Sequence, residues 1–125
     1  MIVTLDADTQ LGARTIQTLI DELSQTDVGA VSGHVLVGNR RNWLTRFQAL
    51  EYICGFNLDR RAYDQWNCIT VAPGAVSALR RSAIVAAGGW SADTMAEDTD
   101  LTLEMHRHRY RVTYSSKAWG WTEAP

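Results

Sequence analysis

Two acidic clusters carry the chemistry available to this sequence. Asp6-x-Asp8 follows the short apolar run Ile2-Val3-Thr4-Leu5, which reads as a buried strand ending in an acidic turn. If the backbone turns there, both carboxylates can converge on one hard cation. Mg²⁺ and Mn²⁺ favour such oxygen ligands and commonly take substrate phosphates in their open positions. An Asp-x-Asp turn that only caps a helix is the ordinary alternative. Glu97-Asp98-x-Asp100 opens a predicted helix, where acids complement the helix dipole and need no further reason. The functional alternative is a general base held at a helix start and aimed into the same cleft. Such a base contributes typically about 10²–10⁴-fold. Neither cluster decides the matter alone.

Other residues are less specific. Pro73-Gly74 breaks any regular element; it is either a plain turn or a cleft wall where backbone must approach a ligand closely. His34, His106 and His108 lack metal-ligand spacing, and His106 and His108 are expected to be solvated. Of the five tryptophans, Trp43 is expected in the core. Trp66, Trp90, Trp119 and Trp121 are expected in loops, where they either pack or stack on a sugar or base. The two cysteines, Cys54 and Cys68, make neither a zinc pattern nor a disulfide scaffold, and reduced thiols are expected.

The elements that must position these groups follow from periodicity. Ile16, Leu19, Ile20 and Leu23 form one stripe of an amphipathic helix. A strand over 29–37 follows, with Val31, Val35 and Val37 on one parity. Strand, helix, strand is the order of a crossover between parallel strands. After a polar turn at 38–42, Trp43, Phe47, Leu50, Cys54 and Leu58 space themselves like one helix face, closed by charge at Asp59-Arg60-Arg61. A loop containing Asp64, Trp66 and Asn67 comes next. Strand-like segments at 69–71 and 76–80, a short helix over 82–87 and a stop at Gly88-Gly89-Trp90 come after it. A helix over 97–108 has acids in its first turn and bases in its last. The final strand is expected over 111–115, ahead of a Trp-rich tail.

Composition bounds the answer. A chain of 125 residues with 46% hydrophobic and 21% charged residues suits one folded α/β domain. A formal charge of −2 argues against a mainly electrostatic nucleic-acid binder. The longest apolar runs, 69–79 and 83–90, fall short of the roughly 18 residues that span a bilayer. The start has no basic segment or cleavage site of a signal peptide. A strand bearing a candidate site opens the sequence, so the fold is either small or a piece of a larger domain.

Six stretches in register resemble the processive family 2 glycosyltransferases, the group of cellulose, chitin, hyaluronan and poly-β-1,6-N-acetylglucosamine synthases. They are Leu5-Asp6-Ala7-Asp8-Thr9, Val28-Gly29-Ala30-Val31-Ser32-Gly33 and Gln48-Ala49-Leu50-Glu51-Tyr52 in the first half. The second half supplies Thr70-Val71-Ala72-Pro73-Gly74-Ala75, Ala78-Leu79-Arg80-Arg81-Ser82-Ala83, and Gly88-Gly89-Trp90 through Ala96-Glu97-Asp98-Thr99-Asp100-Leu101. The likeness is nearest to the poly-β-1,6-N-acetylglucosamine synthases. It implies a GT-A-like α/β fold, with a mixed, mainly parallel sheet flanked by helices and incomplete at both ends. It also implies a UDP-sugar donor and inverting transfer, with N-acetylglucosamine the expected sugar, onto a growing polysaccharide acceptor.

On the same resemblance, Asp6 and Asp8 hold the divalent metal, Mg²⁺ or Mn²⁺, and the donor diphosphate. Asp98 is the base for the acceptor hydroxyl, and Gly74, Ala75 and Glu97 lie against substrate. Ala96 stands where the family's Thr-Glu-Asp motif has Thr. The family's Gln-x-x-Arg-Trp motif, its uridine-binding strands and its transmembrane helices are not in these 125 residues. The expectation is therefore the central part of a catalytic domain, with little activity alone. Its parent would be membrane-anchored, with this part on the cytoplasmic face, and the 2–5 strand would offer an open edge for self-association.

Two competing readings remain. A haloacid-dehalogenase-like phosphatase also has Asp-x-Asp after an apolar strand. Here, though, Gln10 stands where that motif has Thr or Val, and Lys117, the sole lysine, follows the last strand. A non-catalytic carbohydrate-binding remnant would keep the fold, although intact Asp6, Asp8 and Asp98 speak against decay.

Overall fold

The computed structural model describes residues 1–38, 43–72, 74–91 and 95–123. The expected turn residues Asn39 to Asn42, the breaker Pro73 and residues 92–94 of the late motif lie outside the described residues.

Five strands form one sheet. Ile2–Leu5 is β1, Gln10–Leu11 is β2, Val28–Val37 is β3, Val76–Leu79 is β4 and Arg111–Thr122 is β5. Their spatial order is β1-β4-β3-β5-β2. β4 runs antiparallel to both β1 and β3, β3 runs parallel to β5, and β2 runs antiparallel to β5. The sheet is mixed, as expected, but antiparallel pairing predominates rather than parallel. Burial explains the arrangement. All four residues of β4 are buried, which demands a neighbour on each side, whereas β1 has exposed ends and suits an edge. So β1 and β3 run the same way, yet β4 lies between them.

Alternate residues of the strands feed two cores. Val31, Val35, Val76 and Ala78 pack with Leu19 and Leu23 of α1 (Thr15–Leu23). Ala30, Leu79, Val112 and Tyr114 pack on the other face. Their partners there are Ala83 and Ile84 of α4 (Arg81–Ala86), Leu101 and Met105 of α5 (Glu97–Arg107), and Ile69 and Ala72. Each large side chain so buried contributes roughly 1.5–3 kcal/mol relative to exposure. In α1 the buried line is Thr15, Leu19 and Leu23, while Ile16 and Ile20 stay exposed. Arg80 ties α1 to β3: its guanidinium donates to the Leu23, Gln25 and Val28 carbonyls, a cation on the negative end of the helix.

The long helical arm departs from expectation. It runs unbroken through α2 (Trp43–Glu51), a π-helical stretch (Tyr52–Leu58) and α3 (Asp59–Gln65), so charge at 59–61 does not end it. Trp43, Phe47, Leu50 and Leu58 point outward, Trp43 being 78% exposed, and Trp43 is not in the core. The arm packs instead through Thr45, Ala49, which meets Val37, and the buried Arg60. Small side chains allow close approach, and periodicity alone does not say which way a stripe faces. Arg60 donates to Ser32 Oγ at 3.1 Å, and burial pulls its pKa down. Asp64 and Asn67 accept from the Tyr114 and Val112 amides, lining β5 where no strand does. Burial raises the pKa of Asp64, against the opposing pull of the Tyr114 amide and Arg111.

β5 is longer than expected and includes the Trp-rich segment. Its pairing with β3 jumps from Ser32↔Tyr114 to His34↔Trp119, so residues 115–118 bulge before the strand resumes. Trp119 and Trp121 are therefore strand residues, packed edge-to-face at 4.3 Å between centroids. Trp66 and Trp90 are exposed outside the regular elements, as expected. The sheet folds tightly around Val76: a Cβ on Gly33 would stand 2.5 Å from Val76 Cγ1, and one on Gly120 would stand 2.9 Å from Val76 Cγ2. Both cysteines are free and exposed. Among the described residues, no helix is long and apolar enough to cross a membrane.

Candidate active site

The antiparallel register of β1 and β4 creates the site. Leu5 lies opposite Val76, so the residues leaving β1 stand beside those entering β4. Asp6 follows β1, and Gly74 and Ala75 precede β4. A Cβ placed on Gly74 would stand 3.7 Å from Asp6 Oδ1 and 3.6 Å from Asp98 Oδ2. The Gly74 amide also donates to Asp98 Oδ2 at 3.1 Å. Carboxylates from near the two ends of the chain thus reach one point, and a glycine keeps it open. Two acids beside one glycine make the cleft locally negative.

The acidic turn is held at both ends. The Thr9 amide donates to the Asp6 carbonyl at 3.0 Å, and β2 then pairs with the end of β5. Asp8 Oδ1 accepts a 3.2 Å hydrogen bond from Thr122 Oγ1, the buried last residue of β5. Asp6 and Asp8 are exposed and Asp98 is half-buried in the first turn of α5. Glu97 is exposed at the first position of that helix. Ala75 packs against the core on the α1 side.

Among the described residues, Ile69, Ala72 and Gly74 each bond to α5. Asp98 accepts from Gly74, Thr102 Oγ1 accepts from the Ala72 amide at 3.1 Å, and His106 Nε2 contacts the Ile69 carbonyl at 2.7 Å. A carbonyl can only accept, so Nε2 carries the proton. The Thr102 hydroxyl also donates to the Asp98 carbonyl at 2.7 Å. His106 is half-buried and engaged by the Ile69 carbonyl, contrary to the expectation that it is solvated. His34 contacts the Tyr114 hydroxyl on the sheet, and burial, aided by Arg61, lowers its pKa.

The structure thus brings Asp6, Gly74 and Asp98 together, with Asp8 on the same turn. Sequence reading missed Thr122 and Thr102. The four-residue spacing of Asp98, Thr102 and His106 was the available signal for the second. Nothing local marks Thr122.

The donor set suits a hard divalent cation. Asp6 and Asp8 offer carboxylate oxygens alone, and Mg²⁺ or Mn²⁺ is commonly held by one or two carboxylates plus substrate phosphates. Among the described residues, no group of three His, Cys, Asp or Glu side chains forms a closed protein cage. An open site of that kind needs none.

Comparison with known proteins places the family and the fold. The sequence profile of glycosyl transferase family group 2 matches residues 1–125. A Bacillus subtilis protein named "Probable glycosyltransferase YdaM" is 32% identical over 127 residues, covering 100% of this chain and 30% of its own length. The poly-beta-1,6-N-acetyl-D-glucosamine synthase of Staphylococcus aureus (strain COL) is 26% identical over 125 residues, 99% of this chain and 30% of that protein. The chain therefore spans about a third of these relatives. Among solved structures, the mannosyltransferase PcManGT from Pyrobaculum calidifontis, in complex with GDP-Man and Mn²⁺, superposes with a TM-score of 0.75 at 22% identity. That match covers 98% of this chain and 32% of the other.

Proposed function

Because the chain belongs to glycosyl transferase family group 2, we propose that it is the central, acid-bearing part of a catalytic domain that transfers a sugar from a nucleotide diphosphate. The expected reaction is inverting, from a UDP-sugar, with N-acetylglucosamine the first candidate, onto a growing polysaccharide. The observation that carries this reading is the meeting of Asp6 and Asp98 at Gly74. Family membership displaces the phosphatase alternative.

The chemistry follows from the residues. Asp98 takes the proton of the acceptor hydroxyl as that oxygen bonds to the anomeric carbon, while the bond to the diphosphate breaks and its electron pair leaves with the nucleotide. Asp6 and Asp8 would hold Mg²⁺ or Mn²⁺, which when bound supplies charge stabilisation to the leaving diphosphate. Thr122 keeps the Asp8 carboxylate oriented. Gly74 leaves room between the acids, and its amide fixes the Asp98 carboxylate. Glu97 and the backbone of Ala75 are assigned to the substrate side. The GDP-Man and Mn²⁺ held by PcManGT support a nucleotide-sugar donor and a divalent ion here.

The whole protein is proposed to be membrane-anchored, with this portion on the cytoplasmic face where nucleotide sugars are available. The 125 residues alone are proposed to be inactive, since substrate-contacting regions of the family lie outside them.

Mn²⁺-induced broadening of backbone amides, with UDP, with GDP and without nucleotide, tests the reading. The expected result is broadening centred on Asp6 to Asp8, strengthened by UDP and lost in Asp8→Asn. Scattered broadening overturns a metal site in this chain. Oligosaccharide binding that ignores both Asp98→Asn and metal removal would replace it with the carbohydrate-binding remnant.

A further inference from the structure

Residues 69–72 reach β4 without belonging to any strand, so their peptide groups need partners from elsewhere. α5 supplies them with side chains. Asp98, Thr102 and His106 stand four residues apart, on one helix face. Each bonds the adjoining backbone: at the Gly74 amide, the Ala72 amide and the Ile69 carbonyl. A helix advances about 6 Å over four residues, close to the roughly 6.6 Å that extended chain advances over two. The step from Gly74 to Ala72 matches that repeat, whereas the step from Ala72 to Ile69 spans three residues and passes from an amide to a carbonyl, so the helix face acts as a ladder with unequal rungs.

This face is separate from the one that holds α5 in the core. Leu101 and Met105 make the apolar contacts. The polar line adds a register, and its last rung is Asp98 itself. A slip of one rung would carry Gly74 away from Asp98 and change the orientation of the carboxylate.

We propose that Thr102 and His106 are positioning residues for sugar transfer, setting the height of residues 69–72 along α5 so that Gly74 meets Asp98. Neither touches the reacting atoms. The inference deepens the proposed function and rests on Asp98 being the base.

Two readouts test it. In the chain itself, hydrogen exchange of the Gly74 amide is followed by NMR in Thr102→Val, His106→Phe, Thr102→Ser and His106→Gln. The first two remove a rung, and the Gly74 amide is expected to exchange about tenfold faster or more, while amides of β3 keep their protection. The second two retain a hydroxyl or an N–H and are expected to restore slow exchange. In the full-length enzyme, Thr102→Val and His106→Phe are expected to lower kcat by about 10- to 10²-fold, the scale of a misplacement near 1 Å, with donor KM little changed. Unchanged Gly74 exchange in both rung-removing variants overturns the proposal, as does unchanged kcat. Full activity in Asp98→Asn would instead overturn the assignment of the base, and the exchange result would still decide whether the ladder exists. If Thr102→Val fails to fold, His106→Phe, at a half-buried position, carries the test alone.

Discussion

The carboxylates of Asp6 and Asp98 both reach Gly74, 3.7 and 3.6 Å from where a side chain on that residue would begin. Both distances are ordinary contact, so a methyl group fits the free protein. Gly74→Ala is expected to change stability by no more than about 0.5 kcal/mol. It should nevertheless weaken Mn²⁺ binding about tenfold, because the methyl crowds the Asp6 carboxylate, one of the two proposed metal ligands. Urea melts together with a Mn²⁺ titration check this; equal weakening of both would mean a packing role.

Thr122 reaches Asp8 from the far end of β5. Outer partners of metal-holding carboxylates typically matter by about 10–100-fold in affinity. Thr122→Val is expected to lose Mn²⁺ affinity within that range and Thr122→Ser to recover it. Identical affinity in Thr122→Val would disconnect the strand end from the site.

His34 gives a pH dependence with a definite sign. Burial, then Arg61, lowers its pKa below the ordinary 6.5. Below 6.5 the unfolded chain therefore binds more protons at this residue than the folded one does, and stability rises with pH across that window. The contribution is complete above 6.5 and lost on acidification through the lowered value. Denaturation midpoints should fall from about pH 7.5 to about pH 5.5, and His34→Gln should flatten that slope.

Gly33 tests how tightly the sheet closes. An added Cβ would meet Val76 Cγ1 at 2.5 Å and the Ala118 carbonyl at 2.7 Å. Gly33→Ala is expected to cost about 1–3 kcal/mol. Adding Val76→Ala should return only part of it, since the carbonyl contact remains. A neutral Gly33→Ala in urea denaturation would show that the bulged strand can yield.

Among the described residues, β1 forms one edge of the sheet, with β4 its only neighbour. An edge of this kind invites pairing between chains. Sedimentation velocity is expected to show association that grows with concentration, and a constant monomeric value would refute it.

Much of this architecture was legible in the sequence because its periods are local. β1, α1, β3, β4, α4 and α5 all appear within a few residues of where alternation, a 3.6-residue stripe or charge order places them. β2 is two residues long, too short to show a period. The second half of β5 looked like a tail because Trp119, Gly120 and Trp121 are defined by partners in β2 and β3. The arm's apolar stripe was visible, but its direction depended on Ala49 and Thr45 fitting close to β3. At the site, Asp6, Asp8 and Asp98 stood out by type and setting. The meeting of Asp6 and Asp98 at Gly74 depended on β4 lying beside β1, and strand order is what local patterns do not encode.

The placement of β4 also orders how the protein is made. Among the described residues, β1 pairs only with β4, which lies beyond α1, β3 and the whole helical arm. Closing so long a loop carries an entropic cost that more local contacts avoid. The α1 and β3 contacts can form first, leaving β1 unpaired and Asp6 in water. Completing the acidic cleft then becomes a late folding event, and substitutions confined to the β1–β4 pairing should speed unfolding more than they slow folding.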